Sequence, residues 1–573
     1  MTRIADISGT RAARGARTLK FAFWAASRWI MAAVMALGLC TGASQAQTQA
    51  KVLRVVPSAD LTVLDPMYTA LIITRLYSLM VYETLFAWDA KLQPKPQMVD
   101  TWSVSPDQLL WRFTLRTGLK FHDGSSVTTT DVIASLKRWM TRDVLGQKVG
   151  LYVAGMEAVD ERTFEMRLSR PAAFLPFALG SAAGQIPAIM RASDLTGDPA
   201  KPVTTAIGSG PFSFNREEWR AGSYVRFDRN PDYIPRAEPP DGLAGGRVVK
   251  VDRVEWKVIP DVGTAASALQ TGEVDILEQP PLELLPVLQK NAAIRIQKLN
   301  TLSYQGVLRA NALYPPFNDP RARQALSYLA DQSEYMTAAF GDESRWHRCA
   351  AYFICGGPFG SAAKTETDGR ANIEKAKQLL ADSGYRGEKL IFLATKELPS
   401  VGQMTEVAAD GLRRAGVNVD VQWYDWGTMA GRITKKDPPD AGGWNLFVTY
   451  ATGIVMNNPM TNVGTNMNCE KRNWNGWPCD EEAERLRQEF VDAPDDASRQ
   501  AAVARLQARL EESRPIRCSV NSMRRSPSAG MLRGCCSLPS SHIGTWTSRE
   551  GRISADLDAG AEALSYCRVA LGA

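Results

Sequence analysis

The chain has 573 residues, a composition ordinary for a globular protein (45% hydrophobic, 22% charged) and a formal charge of +6. At about 150 residues per domain that length allows roughly four cores, and neither a collagen-like nor a disordered composition applies. Arg3, Arg11, Arg14, Arg17, Lys20 and Arg28 against Asp6 place +5 before residue 47 and leave +1 for the rest, so the body gives no electrostatic case for nucleic acid or an anionic surface as partner.

The basic start runs into an apolar stretch from Trp29 to Leu39, too short to span a bilayer comfortably, and then into Ser44-Gln45-Ala46. This is the pattern of a cleaved secretory signal, assigned to residues 1–46, with a retained anchor as the alternative. Leu39 before Cys40 is not the small residue that lipoprotein processing wants, and no later stretch reaches the ~18 apolar residues of a membrane span. The expected location is the periplasm.

Val52–Val56 reads as an apolar strand leading to the turn Leu64-Asp65-Pro66, and Ile72–Leu85 as a helix with Leu76, Met80, Val81 and Leu85 inward. Trp111, Phe113 and Leu115 alternate as a half-buried strand does, and His122-Asp123-Gly124 forms a turn. Thr130 or Asp131 is expected to cap the next helix, whose Val132, Ile133 and Leu136 share a face with Trp139. Met156–Leu168 predicts a hairpin around Asp160-Glu161. The glycines of Ile207–Phe214 lack a following Lys-Ser/Thr and helix, which excludes a phosphate loop.

Further on, the helix from Thr264 through Leu269 should stop at Gly272. A helix over Ile373–Leu380, a strand over Leu390–Ala394, a helix from Met404 to Ala415 and a strand over Val417–Trp423 give the spacing of a parallel α/β unit. In the exported body Cys349 and Cys355, then Cys469 and Cys479, form two close pairs for which local disulfides are expected, with buried thiols as the alternative. Neither has Cys-x-x-Cys spacing and His347 is the only nearby histidine, so no metal site is expected.

The residues from Trp111 to Trp139 contain Leu-Arg-Thr-Gly-Leu-Lys-Phe-His-Asp-Gly, then Asp131-Val132 and Lys137-Arg138-Trp139. This string resembles the hallmark of solute-binding protein family 5, the dipeptide/oligopeptide-binding class of ABC importers. Gly208-Ser209-Gly210-Pro211-Phe212, Asn230-Pro231-Asp232-Tyr233 and the run from Pro316 to Leu326 continue the likeness, which extends from about Leu53 to about Leu510. The resemblance implies an α/β, two-lobed periplasmic-binding-protein fold with an extra subdomain in lobe one, mixed sheets flanked by helices and a hinge between the lobes. It also implies domain bounds: lobe one over 47–95 and 205–307, its subdomain over 96–204, lobe two over 308–480 and a helical return over 481–512.

In that family the residues after Leu-Asp-Pro face the ligand, which here are Tyr68 and Thr69 among Met67–Ala70. Lobe two concentrates aromatic and small polar residues at Trp423–Trp426, Gly442–Trp444 and Val448–Gly453, the chemistry of a pocket wall. Trp426 and Trp444 are candidates on that ground, with strand core as the bland reading; Tyr450 and Thr452 fall where the family lines its cleft. Peptide binders of the family use an aspartate there for the terminal ammonium. This chain has no acid from Thr449 to Pro459, which argues against a free peptide amine as the recognised group.

After Glu512 the sequence becomes rich in Ser, Arg and Cys and loses periodicity. Codons for Cys518–Ser522, read from the third base of the first, can spell Leu-Gly-Gln-Phe, and those for His542–Thr547 can spell Tyr-Trp-Asn-Val-Asp, the strings the family expects. Residues 513–573 are therefore expected to be a frameshifted, non-native tail, and the central sheet to lack a strand.

The expected function is an extracytoplasmic binding protein of an ABC importer. It captures a peptide or peptide-like small solute and presents it to an inner-membrane permease and its ATPases, as a monomer without cofactor. A secreted hydrolase is the alternative, but the body holds only His122 and His347, with no Gly-x-Ser-x-Gly elbow and no nucleophile–base pair. A non-functional product of a frameshifted binding-protein gene is the other alternative.

Overall fold

The computed structural model describes residues 50–513 apart from 281, 297–303, 342, 344–345, 350, 361–369, 470–474 and 494, together with the backbone of 516–520 and 531–533. The expected signal segment and most of the tail lie outside the described residues.

Strand β1 (Val52–Val56) is followed by helix α1 (Ile72–Val81), β2 (Phe86–Trp88) and β3 (Pro94–Pro96). Then come β4 (Val99–Val104), β5 (Leu110–Leu115), α2 (Thr129–Arg142), α3 (Val144–Gly150), β6 (Val153–Ala158) and β7 (Thr163–Leu168). The chain returns through β8 (Phe212–Arg220), β9 (Tyr224–Arg229), β10 (Arg253–Lys257), α4 (Val262–Thr271), β11 (Ile276–Leu277) and β12 (Ile294–Ile296). Next are β13 (Tyr304–Ala310), α5 (Pro320–Leu329), α6 (Gln332–Phe340), α7 (Ile373–Asp382), β14 (Leu390–Thr395) and α8 (Pro399–Arg414). The last part holds β15 (Val419–Tyr424), α9 (Trp426–Arg432), β16 (Leu446–Thr452), α10 (Glu481–Asp492), α11 (Asp496–Ser513), β17 (Ile516–Val520) and β18 (Met531–Arg533).

Two mixed sheets divide these strands. One runs β12-β18-β11-β1-β10-β9-β8, with β1 parallel to both β10 and β11; the other runs β15-β14-β16-β13-β17, with β14 parallel to β15 and β16 and β13 antiparallel to β16. The chain passes from the first sheet to the second between β12 and β13 and back between β17 and β18. Those two crossings define two lobes. The antiparallel sheet β4-β5-β7-β6 with α2 and α3 forms a separate layer within lobe one.

Local chemistry explains the elements. Gly272 ends α4 in the left-handed region at φ +80°, and Asp261 caps its start by accepting from the Thr264 amide. Asp160 Oδ1 accepts from the amides of Arg162 and Thr163, which closes the β6–β7 hairpin. The cap of α2 differs from expectation: Thr128 is the N-cap, and Asp131 reaches back to its N–H (2.9 Å) and hydroxyl (2.8 Å). Asp131 therefore sits three residues inside the helix and closes a box with Thr128 rather than starting it.

Lobe one is organised on a large apolar cluster containing Trp88, Trp139 and Trp256, each buried. A side chain of that class contributes about 1.5–3 kcal/mol on burial. The cluster continues into Tyr352, Phe353, Ile354 and Met456 and into Leu486, Phe490 and Leu506 of α10 and α11, so it bridges the lobes. A second cluster fills lobe two beneath α5, α6 and α8.

The tail corrects one expectation. Backbone of β17 lies beside β13, and β18 lies between β11 and β12, so neither sheet lacks a strand at these places. Ladder bonds use main-chain N–H and C=O, which any non-proline sequence carries.

Candidate functional site

Three segments meet in the bridging cluster: the loop after β1, the turn after β16 and the loop 352–354. In the first, buried Asp65 receives the Arg138 guanidinium through two bonds (Nη1 to Oδ1 3.0 Å, Nη2 to Oδ2 2.6 Å). The Met67 amide donates to Oδ1 (2.9 Å) and the Val203 amide to Oδ2 (2.8 Å). With the carboxylate fully used, the next residues are held in place. Tyr68 is 37% exposed, and half-buried Thr69 accepts from the Leu71 amide (3.3 Å). The Arg142 guanidinium lies 5.3 Å from the centre of the Tyr68 ring.

The lobe-two side is built on β16, where Tyr450 stands opposite Gly306 and Thr452 opposite Tyr304. Tyr450 meets Tyr304 edge to face at 5.2 Å, and burial raises its phenol pKa. Thr452 is buried, its carbonyl accepts from the amides of Val455 and Met456, and its hydroxyl has no partner. Asn457 is buried with Oδ1 unpartnered, whereas Asn458 Oδ1 accepts from Met460 and Thr461. The Ile354 amide donates to the Met456 carbonyl (3.0 Å) and ties the loop to the turn. A disulfide between Cys349 and Cys355, Cα atoms 6.0 Å apart, closes that loop; Cys469 and Cys479 form a second, at 4.5 Å.

Two candidates stand elsewhere. Trp444 has no exposed surface and packs on Phe447 (5.0 Å) and Trp477 (5.8 Å) in a separate cluster, which makes it core of lobe two rather than an exposed wall. Asn445 beside it fixes the register by accepting from the Ile391 amide. Trp426, half-buried at the start of α9, packs on the same cluster, and its amide donates to Glu397. The remaining candidates divide between the lobes: Tyr68 and Thr69 in one, Tyr450 and Thr452 in the other.

Sequence reasoning missed two groups. Arg142 lies three residues past the Trp111–Trp139 string that marks the fold. The second is a polar clasp between the subdomain and α10: the Tyr152 hydroxyl donates to Asp492 (2.8 Å), Gln488 donates to Asp492 (2.7 Å) and also meets Tyr152, and Lys148 meets Gln488. Arg170 lies over the Tyr152 ring at 4.1 Å. Burial, with Asp492 adding to it, pushes the Tyr152 phenol up to about 12, and burial first, then Arg487, lowers the Lys148 ammonium. Contacts 340 residues apart in sequence leave no local signal.

His122 is structural. Its Nδ1 accepts from the Gly208 amide (3.2 Å), which leaves Nε2–H to donate to the Gly210 carbonyl (3.1 Å), and burial lowers its pKa to about 4. The imidazole pins the turn to the Gly208–Gly210 segment before β8, whose close approach to Val81 and Met80 leaves no room for a Cβ.

A model of the bacterial extracellular solute-binding proteins, family 5, matches residues 93–474. The probable peptide ABC transporter periplasmic-binding protein y4tO of Sinorhizobium fredii is 39% identical over 438 residues, covering 75% of this chain and 81% of that protein. The glutathione-binding protein GsiB of Escherichia coli is 24% identical, covering 72% and 78%. Among solved structures, the binding protein AgaA of A. tumefaciens R10, in complex with agropinic acid, superposes with a TM-score of 0.68 at 22% identity, over 84% of this chain and 92% of that one. AppA of Bacillus subtilis, in complex with a nonapeptide, gives 0.68 at 19%, over 84% and 94%.

Proposed function

The chain belongs to the bacterial extracellular solute-binding proteins, family 5, and from that premise we propose that it captures a peptide or peptide-like small solute between its lobes and delivers it to a membrane permease. What supports this is the two-lobed fold, its lobes joined by two chain crossings, with candidate residues in each lobe. A solute touching Tyr68 and Thr69 on one side and Tyr450 and Thr452 on the other gains its full contact only when the lobes are closed, so binding shifts the population toward closure. Members of this family bind solutes rather than turn them over, and their place is outside the cytoplasm. The finer statements are ours: export by a cleaved signal over residues 1–46, a monomer in solution, and an inner-membrane permease with ATPases as partners.

Isothermal titration of the purified chain with a panel of di- to pentapeptides tests the reading. Saturable one-to-one binding, with ligand-dependent thermal stabilisation and a smaller radius of gyration, is the expected result. Peptides consumed during the titration, or no binding by any of them, would overturn it.

The domain bounds at 95/96, 204/205, 307/308 and 480/481 and the out-of-frame origin of 513–573 also stand as proposals. Resequencing the gene decides the latter: an intact frame at codons 513–517 refutes it.

A further inference from the structure

Helix α2 carries two arginines four residues apart, Arg138 and Arg142, which therefore share a face and lie over one loop. Arg138 is buried, paired through both terminal nitrogens to Asp65, and donates again to the Lys201 carbonyl (3.1 Å). Arg142, one turn on, makes no hydrogen bond or ion pair among the described residues. Its Nε is shut from solvent with no acceptor among the described residues, and the guanidinium lies 5.3 Å from the centre of the Tyr68 ring.

A guanidinium offers five N–H donors and does not shed its charge in proteins. Leaving a buried donor unmade costs about 1–3 kcal/mol, more for a charged group. Among the described residues no acid completes it. The turn after β16 has no Asp or Glu from Thr449 to Pro459, and Glu484 of α10 is taken by Arg487 (2.7 and 2.9 Å). Tyr68 and the half-buried Arg142 still expose part of their surface on the lobe-one wall, so an anion can reach them. A carboxylate matches a guanidinium in planarity and in two-pronged bonding.

We propose that Arg142 binds a carboxylate of the solute, with Tyr68 as its stacking platform, and that this carboxylate, not a free ammonium, is the charge the protein recognises. The proposal rests on the binding-protein reading above and deepens it. The carboxylate can come from a peptide C-terminus or from an acidic side chain, and both present the same chemistry to Arg142.

The test titrates the full chain with di- to pentapeptides, each with a free or amidated C-terminus and a free or acetylated N-terminus. Acetylation is expected to change affinity less than threefold and amidation to weaken it at least tenfold. Amides that bind only when they contain Asp or Glu, and lose that binding in Arg142→Gln, assign the carboxylate to a side chain and support the proposal equally. Arg142→Gln should abolish the preference for acid over amide while leaving the melting temperature equal or higher; Tyr68→Leu, which keeps the guanidinium, should weaken both forms of each peptide and serves if the first variant does not fold. Amides of every composition binding as tightly as acids overturn the Arg142 assignment and leave the peptide reading standing. No binding by any peptide overturns both.

Discussion

The loop after β1 and the turn after β16 enter the same apolar cluster from opposite lobes, and they are finished differently. Around Asp65 the carboxylate is used by Arg138 and two amides. At the end of β16 and in the turn after it, the Thr452 hydroxyl and Asn457 Oδ1 are buried with no partner among the described residues. Most buried polar groups in folded proteins are satisfied, and on the proposed reading these two are completed by the solute. On the proposed reading, lobe one supplies a floor with the Arg142 cation and lobe two supplies neutral groups for the solute.

The sharpest way to break that contrast is to spoil the floor. Asp65→Ala strands Arg138 in a dry site and removes the acceptor for Met67 and Val203, and removing one partner of a buried pair costs about 3–5 kcal/mol. The midpoint of denaturant unfolding should fall accordingly at unchanged m-value. A loss below about 1 kcal/mol would mean that the loop is held by packing alone.

His122 belongs to the same completed side and gives the next largest effect. Its folded-state pKa is lowered from 6.5 to about 4 by burial, so the folded protein favours the neutral ring. Between pH 6.5 and pH 4 the unfolded chain takes up a proton that the folded chain refuses; stability is full above this window and is lost as pH falls through it, by about 3 kcal/mol at its lower end. Subtracting the pH–stability curve of His122→Asn isolates the term, and parallel curves would show that the ring titrates normally.

The same contrast explains what could be read from the sequence. The apolar runs of β1 and β14, the period-2 alternation of β5, the Gly272 stop and the Asp123 turn are all encoded within a few residues. The cap at Thr128 was displaced because Thr130 and Asp131 carry the same oxygen chemistry as the true cap. Trp444 was a wall candidate by composition, but burial depends on Phe447 and on Trp477, which is 33 positions away, and composition does not carry that. Arg142 was invisible for the converse reason. A lone arginine in a helix is ordinary until its neighbour four residues earlier is seen to be paired and it is not.

A smaller effect probes the unfinished side. Thr452→Val keeps the shape and removes the unpartnered hydroxyl, so stability should stay within about 1 kcal/mol of the parent or rise. Binding of the tightest peptide should weaken by about 2- to 13-fold, the equivalent of one hydrogen bond of 0.5–1.5 kcal/mol. Stability lost with binding unchanged would move Thr452 from the wall to the frame.

The smallest expected change concerns what holds the two sides together. Tyr152 donates to Asp492 across the subdomain and α10, and Gln488 donates to the same carboxylate, so deleting the hydroxyl leaves Asp492 still bonded. Tyr152→Phe should therefore cost about 0.5–1.5 kcal/mol rather than the larger penalty of a stranded charge. If the clasp forms only when the lobes are closed, that cost falls on the closed state alone: the ligand-free protein should show a larger radius of gyration by small-angle scattering, and peptide should bind up to about tenfold more weakly at an unchanged closed-state geometry. An equal loss of global stability with the same ligand-free radius would show instead that the clasp persists when the cleft opens.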